Sequence, residues 1–386
     1  QLHQAFAVRL GINTLLLFVI CCLLFVVGFS FFIKDRMPRL LRTTTRYLSS
    51  LLLLAFLLVL LLSDAARSYL VEEKHAVSGL SAGGFMAVQY QVAFSTELLG
   101  AGVFAGGPYY CAEDRGATYA IDHCMTLANF DINNLVSHAQ QFAQSGYIDP
   151  LNALSNHSVY LYSGAYDTIV STAVVKGVED FYKAAVTGMH FETEYTIKSE
   201  HCIPTINYGN PCYELKSPFL GLCHYDGVGA ALSTIYGHSL QPRTSMVVNN
   251  MFNISQAPFL PKHADPISVD SLAFVYVPTV CQQQLSQVNS TRCRIHVALH
   301  GCNQGVKAVG DDFYMNAGYN EWAEANNMIV LYPQVEATPG NLSKNPQGCF
   351  DWWGYSGVDF AWKSGSQMSL VHNLVTHLSD PSVVLH

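Results

Sequence analysis

Charge is scarce in this chain. Only 12% of its 386 residues are Asp, Glu, Lys or Arg, while half are hydrophobic. Basic residues are scarcer still in the body of the sequence. From Leu70 onward 13 Lys and Arg face 26 Asp and Glu, a net charge near −13. A surface that acidic disfavours nucleic acid and anionic membranes as partners and suits a neutral substrate. No C-x-x-C or H-E-x-x-H spacing occurs, which argues against a zinc centre, and no metal or cofactor is expected. Internal repeats and low-complexity linkers are absent after residue 70, so residues 67–386 read as a single catalytic domain.

Apolar residues are concentrated near the N-terminus. Residues 10–33 carry no charge and are long enough to span a bilayer. The run Leu51–Leu62 is shorter; it follows Arg39, Arg42 and Arg46 and precedes Ser63-Asp64-Ala65-Ala66. Basic region, apolar stretch and small residues in that order make a signal peptide over residues 37–66, with Met37 as the start and 1–36 as an upstream segment. The competing reading keeps 10–33 as a real membrane span; if Leu51–Leu62 spans as well, the basic loop Lys34–Arg46 is cytoplasmic and the large C-terminal part faces outward. Either way the catalytic portion is exported, and the N-terminal segment, if retained, is its only route to a membrane.

Cysteine usage agrees with export. Setting aside Cys21 and Cys22, nine cysteines remain in the body, and in an exported chain they read as disulfides. Cys111–Cys124 and Cys281–Cys293 are the short-range candidates. The odd count leaves at least one thiol unpaired, expected at Cys223. Four sequons, at Asn156, Asn253, Asn289 and Asn341, fit a glycosylated surface.

Short apolar runs alternate with helix-compatible segments, which predicts an α/β fold with a mainly parallel sheet flanked by helices. Ser158–Ser163, Leu272–Pro278, Arg294–His300 and Met328–Pro333 read as strands. Val174–Val186, Tyr314–Asn326 and Gln367–Leu378 read as helices. The stretch Ile203–Gly237, rich in Gly, Pro, Cys and Tyr, gives little periodic signal.

Within Gly79-Leu80-Ser81-Ala82-Gly83 lies the pattern G-x-S-x-G. In a nucleophile elbow the serine occupies a strained turn between strand and helix, and side chains at the flanking glycines would collide with neighbouring elements. The context fits: His75–Ser78 can end a strand and Phe85–Phe94 can form the helix. A serine hydroxyl needs a histidine to take its proton and a carboxylate to orient that histidine. In this architecture both follow the serine, on loops after later strands. Asp167 lies just past the strand Ser158–Ser163 and is the expected acid. Glu194–Lys198 reads as the next strand, and His201 on the loop after it is the expected base. His190 precedes that strand, and His224 and His238 fall in the irregular stretch. Glu200 is a rival acid, but as an immediate neighbour of His201 its side chain should point elsewhere.

Acyl transfer also requires backbone N–H groups aimed at the developing oxyanion. One comes from the residue after the serine, Ala82. The other normally lies upstream of the serine in an H-G-G-like loop. Here the matching element, Val297-Ala298-Leu299-His300-Gly301-Cys302, arrives about two hundred residues later. The first half of an ordinary α/β-hydrolase follows its second half, as a circular permutation would produce. Cys302 supplies the second N–H on this reading, and His300 is a structural residue at the strand end.

These segments, with Gly348-Cys349-Phe350-Asp351-Trp352-Trp353-Gly354-Tyr355, resemble extracellular poly(3-hydroxybutyrate) depolymerases, most nearly the single-domain fungal type. The likeness runs from about residue 72 to 378. It implies a circularly permuted α/β-hydrolase with disulfide-stapled loops, Ser81, His201 and Asp167 as the triad, and Ala82 and Cys302 as oxyanion donors. It implies a Cys302–Cys349 disulfide, and Cys202 bonded near the catalytic histidine, to Cys212. The substrate implied is a water-insoluble polyester or its oligomers, cleaved through a 3-hydroxyacyl-enzyme. Trp352, Trp353 and Tyr355 are candidates to line the groove for the acyl chain. Two other functions compete: an esterase for small esters such as feruloyl or acetyl groups on plant polysaccharide, and a membrane-tethered binding protein on a dead hydrolase fold. Oligomeric state is not legible.

Overall fold

The computed structural model describes residues 70–262, 268–282, 292–340, 345–380 and 383. The upstream segment 1–36, the signal or anchor region 37–66, Asn289 and Asn341 lie outside them. Among the described residues no helix is long and apolar enough to cross a membrane. Residues Arg67–His386 form one compact unit.

Twelve strands are present among the described residues: β1 (Leu70–Val71), β2 (His75–Leu80), β3 (Leu98–Phe104), β4 (Ser158–Tyr162), β5 (His190–Glu194), β6 (Ile203–Thr205), β7 (Asn210–Pro211), β8 (Leu220–Leu222), β9 (Met251–Ser255), β10 (Leu272–Tyr276), β11 (Arg292–Leu299) and β12 (Met328–Tyr332). The longer helices are α1 (Ala82–Ala93), α2 (Ile132–Gln144), α3 (Thr172–Ala185), α4 (Gly227–Tyr236), α5 (Tyr319–Asn326) and α6 (Ser366–Ser379). Nine strands make the main sheet, in the order β5-β4-β3-β2-β11-β12-β10-β9, with β1 pairing β11. From β5 to β12 all neighbours are parallel; β10 is antiparallel to both its neighbours, β12 and β9. β2 and β12 are buried along their whole length, and burial on both faces explains why β12 appears as a continuous apolar run rather than as an alternation.

The serine-bearing strand β2 lies directly beside β11, more than two hundred residues later in sequence, with Ala298 opposite Ser78. The late strands β9 to β12 thus occupy the half of the sheet that precedes the serine strand in an ordinary hydrolase. The chain is a circularly permuted α/β-hydrolase.

Three segments differ from expectation. The strand expected at Glu194–Lys198 is β5, His190–Glu194. It is an edge strand and half-exposed, so it lacks the apolar run that marks a central strand, and His190 lies within it. The helix expected over Tyr314–Asn326 is broken at Gly318, whose φ of +102° no helix tolerates; Asp312–Asn316 and α5 are the two pieces. The stretch Ile203–Gly237 is ordered, holding a small parallel sheet β6-β8-β7 and helix α4. Its strands are two or three residues long, too short to show a period.

Four disulfides form among the described residues: Cys111–Cys124, Cys281–Cys293, Cys302–Cys349 and Cys212–Cys223. The first three are as expected. The fourth corrects two expectations at once, because Cys223 is bonded and Cys202 is not paired with Cys212 but is, among the described residues, the one free cysteine, and it is buried. The register explains this. Pro211 faces Leu222 across the β7–β8 pair, so the next residues, Cys212 and Cys223, are direct neighbours. Of the sequons, Asn156 and Asn253 are both exposed.

Candidate active site

Ser81 follows β2 and precedes α1 with φ +57° and ψ −122°, a backbone region that residues with a Cβ seldom occupy. Two bonds hold the turn: Ser81 N donates to Phe104 O at 2.8 Å, and Phe85 N donates to Ser81 O at 2.9 Å. The flanking glycines are required by close approach. A Cβ on Gly83 would meet Leu299 O at 2.3 Å and His300 O at 2.6 Å, and one on Gly79 would meet the Gly83 carbonyl at 2.4 Å. The first turn of α1 is therefore seated on the end of β11 with no side chain between.

That seating brings the Leu299–Cys302 loop to the serine. Gly301 is so near that a Cβ on it would lie 3.3 Å from Ser81 Cβ. Gly301 N donates to Gln304 Oε1 at 2.7 Å, and Gln304 in turn donates to Pro218 O at 2.8 Å. His300 is fully buried; it bonds Gly301 O through Nδ1 at 2.7 Å and accepts from Val335 N through Nε2 at 3.2 Å. Burial pushes its pKa down to about 4. A neutral imidazole with both nitrogens occupied is a brace. The Cys302–Cys349 bridge fixes the next residue of the loop. Ala82, at the first position of α1, carries one of the N–H groups that no helix satisfies internally, at the positive end of the helix dipole.

Asp167 and His201 come together on the loops after β4 and β5, at the same carboxyl edge of the parallel strands as Ser81. His201 Nδ1 and Asp167 Oδ2 are 2.8 Å apart, and both side chains are nearly buried. The other carboxylate oxygen accepts from Ile169 N at 2.9 Å and Val170 N at 2.8 Å, so Asp167 is locked in a turn. With Nδ1–H donated to the carboxylate, Nε2 is left as the basic nitrogen. Glu200 does point away from the imidazole. It bonds Thr168 and the backbone N–H of His201, a role that sequence spacing gave no way to see.

The tryptophan loop is built around Asp351, a fully buried carboxylate that accepts from the N–H groups of Trp353, Gly354, Tyr355 and Ser356 and from the Ser356 hydroxyl. Trp352 stacks on Phe85 of α1 with ring centroids 4.2 Å apart. The Tyr355 hydroxyl donates to Cys349 O at 2.6 Å and accepts from Gln367 Nε2 at 2.7 Å. Trp353 is 7% exposed, and its Nε1 has no hydrogen-bond partner in the protein.

A strained serine at a strand–helix elbow, a hydrogen-bonded histidine–aspartate pair on the same sheet edge and a braced glycine loop against the serine are the equipment of acyl transfer. The fold and the site define a serine hydrolase acting on ester bonds.

No family model matches the chain, but individual proteins do. The poly(3-hydroxybutyrate) depolymerase of Delftia acidovorans is 37% identical over 306 residues, covering 78% of this chain and 59% of that protein. The polyhydroxybutyrate depolymerase of Talaromyces funiculosus is 33% identical over 309 residues, 77% of this chain and 86% of that one. Among solved structures, a PHB depolymerase with one serine replaced by alanine, complexed with an R3HB trimer, superposes with a TM-score of 0.71 at 32% identity, covering 81% of this chain and 98% of the other. The PHB depolymerase from Penicillium funiculosum gives 0.70 at 32% identity, over 80% and 98% of the two chains. The chain belongs to the poly(3-hydroxybutyrate) depolymerase family.

Proposed function

We propose that the chain is an exported serine esterase that hydrolyses poly(3-hydroxybutyrate)-type polyester or its oligomers through an acyl-enzyme on Ser81. The observation that carries this is the 2.8 Å bond between His201 Nδ1 and Asp167 Oδ2, on the sheet edge where Ser81 is held in its elbow. His201 Nε2 takes the Ser81 proton as Oγ attacks the ester carbonyl, then passes it to the departing hydroxyl of the polymer. Water, activated by the same nitrogen, releases the 3-hydroxy acid. The backbone N–H groups of Ala82 and Cys302 receive the oxyanion in both steps. No metal or cofactor enters this scheme.

Family membership and the relative complexed with an R3HB trimer support the substrate class. Four disulfides support an oxidising compartment, and the exposure of Asn156 and Asn253 suits glycosylation there. The test is covalent. A fluorophosphonate ester should inactivate the protein with one label, mapped by peptide mass to Ser81. Labelling elsewhere, or none in folded protein, overturns the assignment.

A further inference from the structure

The acid and the base sit on two different loops, and one side chain is bonded to both. The loops are already zipped by two backbone bonds, Ala165 N to Ile197 O at 2.8 Å and Tyr166 N to Ser199 O at 3.0 Å. Just past that zip, the Glu200 carboxylate accepts from Thr168 N at 3.2 Å, from the Thr168 hydroxyl at 2.9 Å and from His201 N at 3.0 Å. Thr168 adjoins Asp167, and Glu200 adjoins His201. The carboxylate therefore crosses between the neighbours of the two groups that must meet. Its own backbone is anchored too, with Glu200 N donating to Cys212 O at 2.9 Å beside the Cys212–Cys223 bridge.

Glu200 is only 9% exposed, and the donors it meets are neutral. Burying a carboxylate against neutral donors costs solvation that an apolar residue would not. Such a group is useful where its acceptor geometry is needed, and here three donors from both loops converge on one carboxylate. We propose that Glu200 is a positioning residue of the hydrolase site: its carboxylate clamps the acid loop to the base loop so that His201 Nδ1 meets Asp167 Oδ2 in one geometry. This rests on the Ser81–His201–Asp167 reading above.

The side-chain chemistry separates geometry from charge. In Glu200→Gln the amide oxygen can still accept from Thr168 N and His201 N. The amide nitrogen then faces the Thr168 hydroxyl, which can turn to accept. Glu200→Leu has similar bulk but leaves all three donors unanswered. Thr168→Val removes one bond and keeps the shape.

The experiment measures kcat and KM of the full chain on a soluble p-nitrophenyl ester, in variants whose fold is checked by near-ultraviolet circular dichroism. Glu200→Leu should lower kcat about 10²-fold, the loss typical of a displacement near 1 Å, with KM little changed. Glu200→Gln should recover most of that loss, and Thr168→Val should fall between. On a His201→Ala background Glu200→Leu should cost almost nothing further, because the residue acts through the imidazole. Wild-type kcat in folded Glu200→Leu, or a full additional loss on the His201→Ala background, overturns the proposal. If Glu200→Leu does not fold, wild-type kcat in Thr168→Val overturns it. Wild-type kcat in His201→Ala itself would instead overturn the triad on which the proposal rests.

Discussion

Replacing Gly83 with alanine tests whether the serine and the oxyanion loop are registered by direct backbone contact. The new Cβ would lie 2.3 Å from Leu299 O and 2.6 Å from His300 O. Both are backbone atoms at the end of the central strand β11, so no side chain can swing aside. Ordinary contact requires separation by about 1 Å more, which must come from lifting α1 off the strand or bending the strand. Overpacking of this kind costs about 1–3 kcal/mol. At about 2.1 cal/mol/K of unfolding entropy per residue, the unit Arg67–His386 should lose about 2–5 °C in Tm. The functional loss should be larger in proportion. A shift of that size parts Ala82 from Cys302, and a 1 Å misplacement costs about 10²-fold in rate. Thermal unfolding and kcat on a soluble ester, measured on the same preparation, give both numbers. An unchanged kcat with a lowered Tm would mean that the helix–strand contact is structural only. An unchanged Tm would refute the contact itself.

Three further outcomes follow from other parts of the fold. The Cys302→Ser, Cys349→Ser double variant opens a bridge across 47 residues, so chain-entropy reasoning predicts a loss of about 4 kcal/mol in denaturant unfolding, together with a lower kcat; full stability would show that the bridge only decorates a rigid loop. Burial pushes the pKa values of His75 and His296 down to about 3 and that of His300 down to about 4. Below pH ~6.5 the unfolded chain takes up protons that the folded chain refuses. Their contribution is thus complete above that pH and is lost on acidification towards 4; unfolding midpoints that stay level from pH 7 to 4.5 would contradict it. Cys202 is buried, with its thiol pushed up to about 12 by burial, aided by the charges of Asp167 and Glu200. Iodoacetamide at neutral pH should therefore spare it in the native protein and label it after unreduced unfolding, with peptides 212 and 223 still joined. A label on Cys223 would restore the pairing expected from sequence.

The parts of this molecule that the sequence made legible are those with strong local signatures. The elbow around Ser81 is visible because its glycines are demanded by close approach, a Cβ on Gly83 or Gly79 meeting backbone at 2.3 or 2.4 Å, and the late arrival of the Leu299–Cys302 segment along the chain exposes the permutation. Asp167 and His201 follow from strand order, although β5 lay four residues earlier than its apolar residues Tyr195 and Ile197 indicated. What stayed hidden depends on pairing between short pieces. The β6-β8-β7 sheet has no periodicity to read, and only its register sets Cys212 against Cys223. The bonds of Glu200 to Thr168 cross between loops, and no spacing along the chain encodes that. The break at Gly318 was legible in principle, since a lone glycine within a helical pattern is a warning.

The measurement closest to the central claim follows 3-hydroxybutyrate release from a suspension of the polymer by the full chain, exported through a eukaryotic secretory pathway, beside its Ser81→Ala variant. A soluble p-nitrophenyl ester serves as the control. The account predicts polymer hydrolysis by the wild type and none by the variant, with ester turnover lost in parallel. Ser81-dependent turnover of the small ester without release from the polymer would contradict the polyester assignment, and folded wild-type protein inactive on both would contradict the hydrolase site itself.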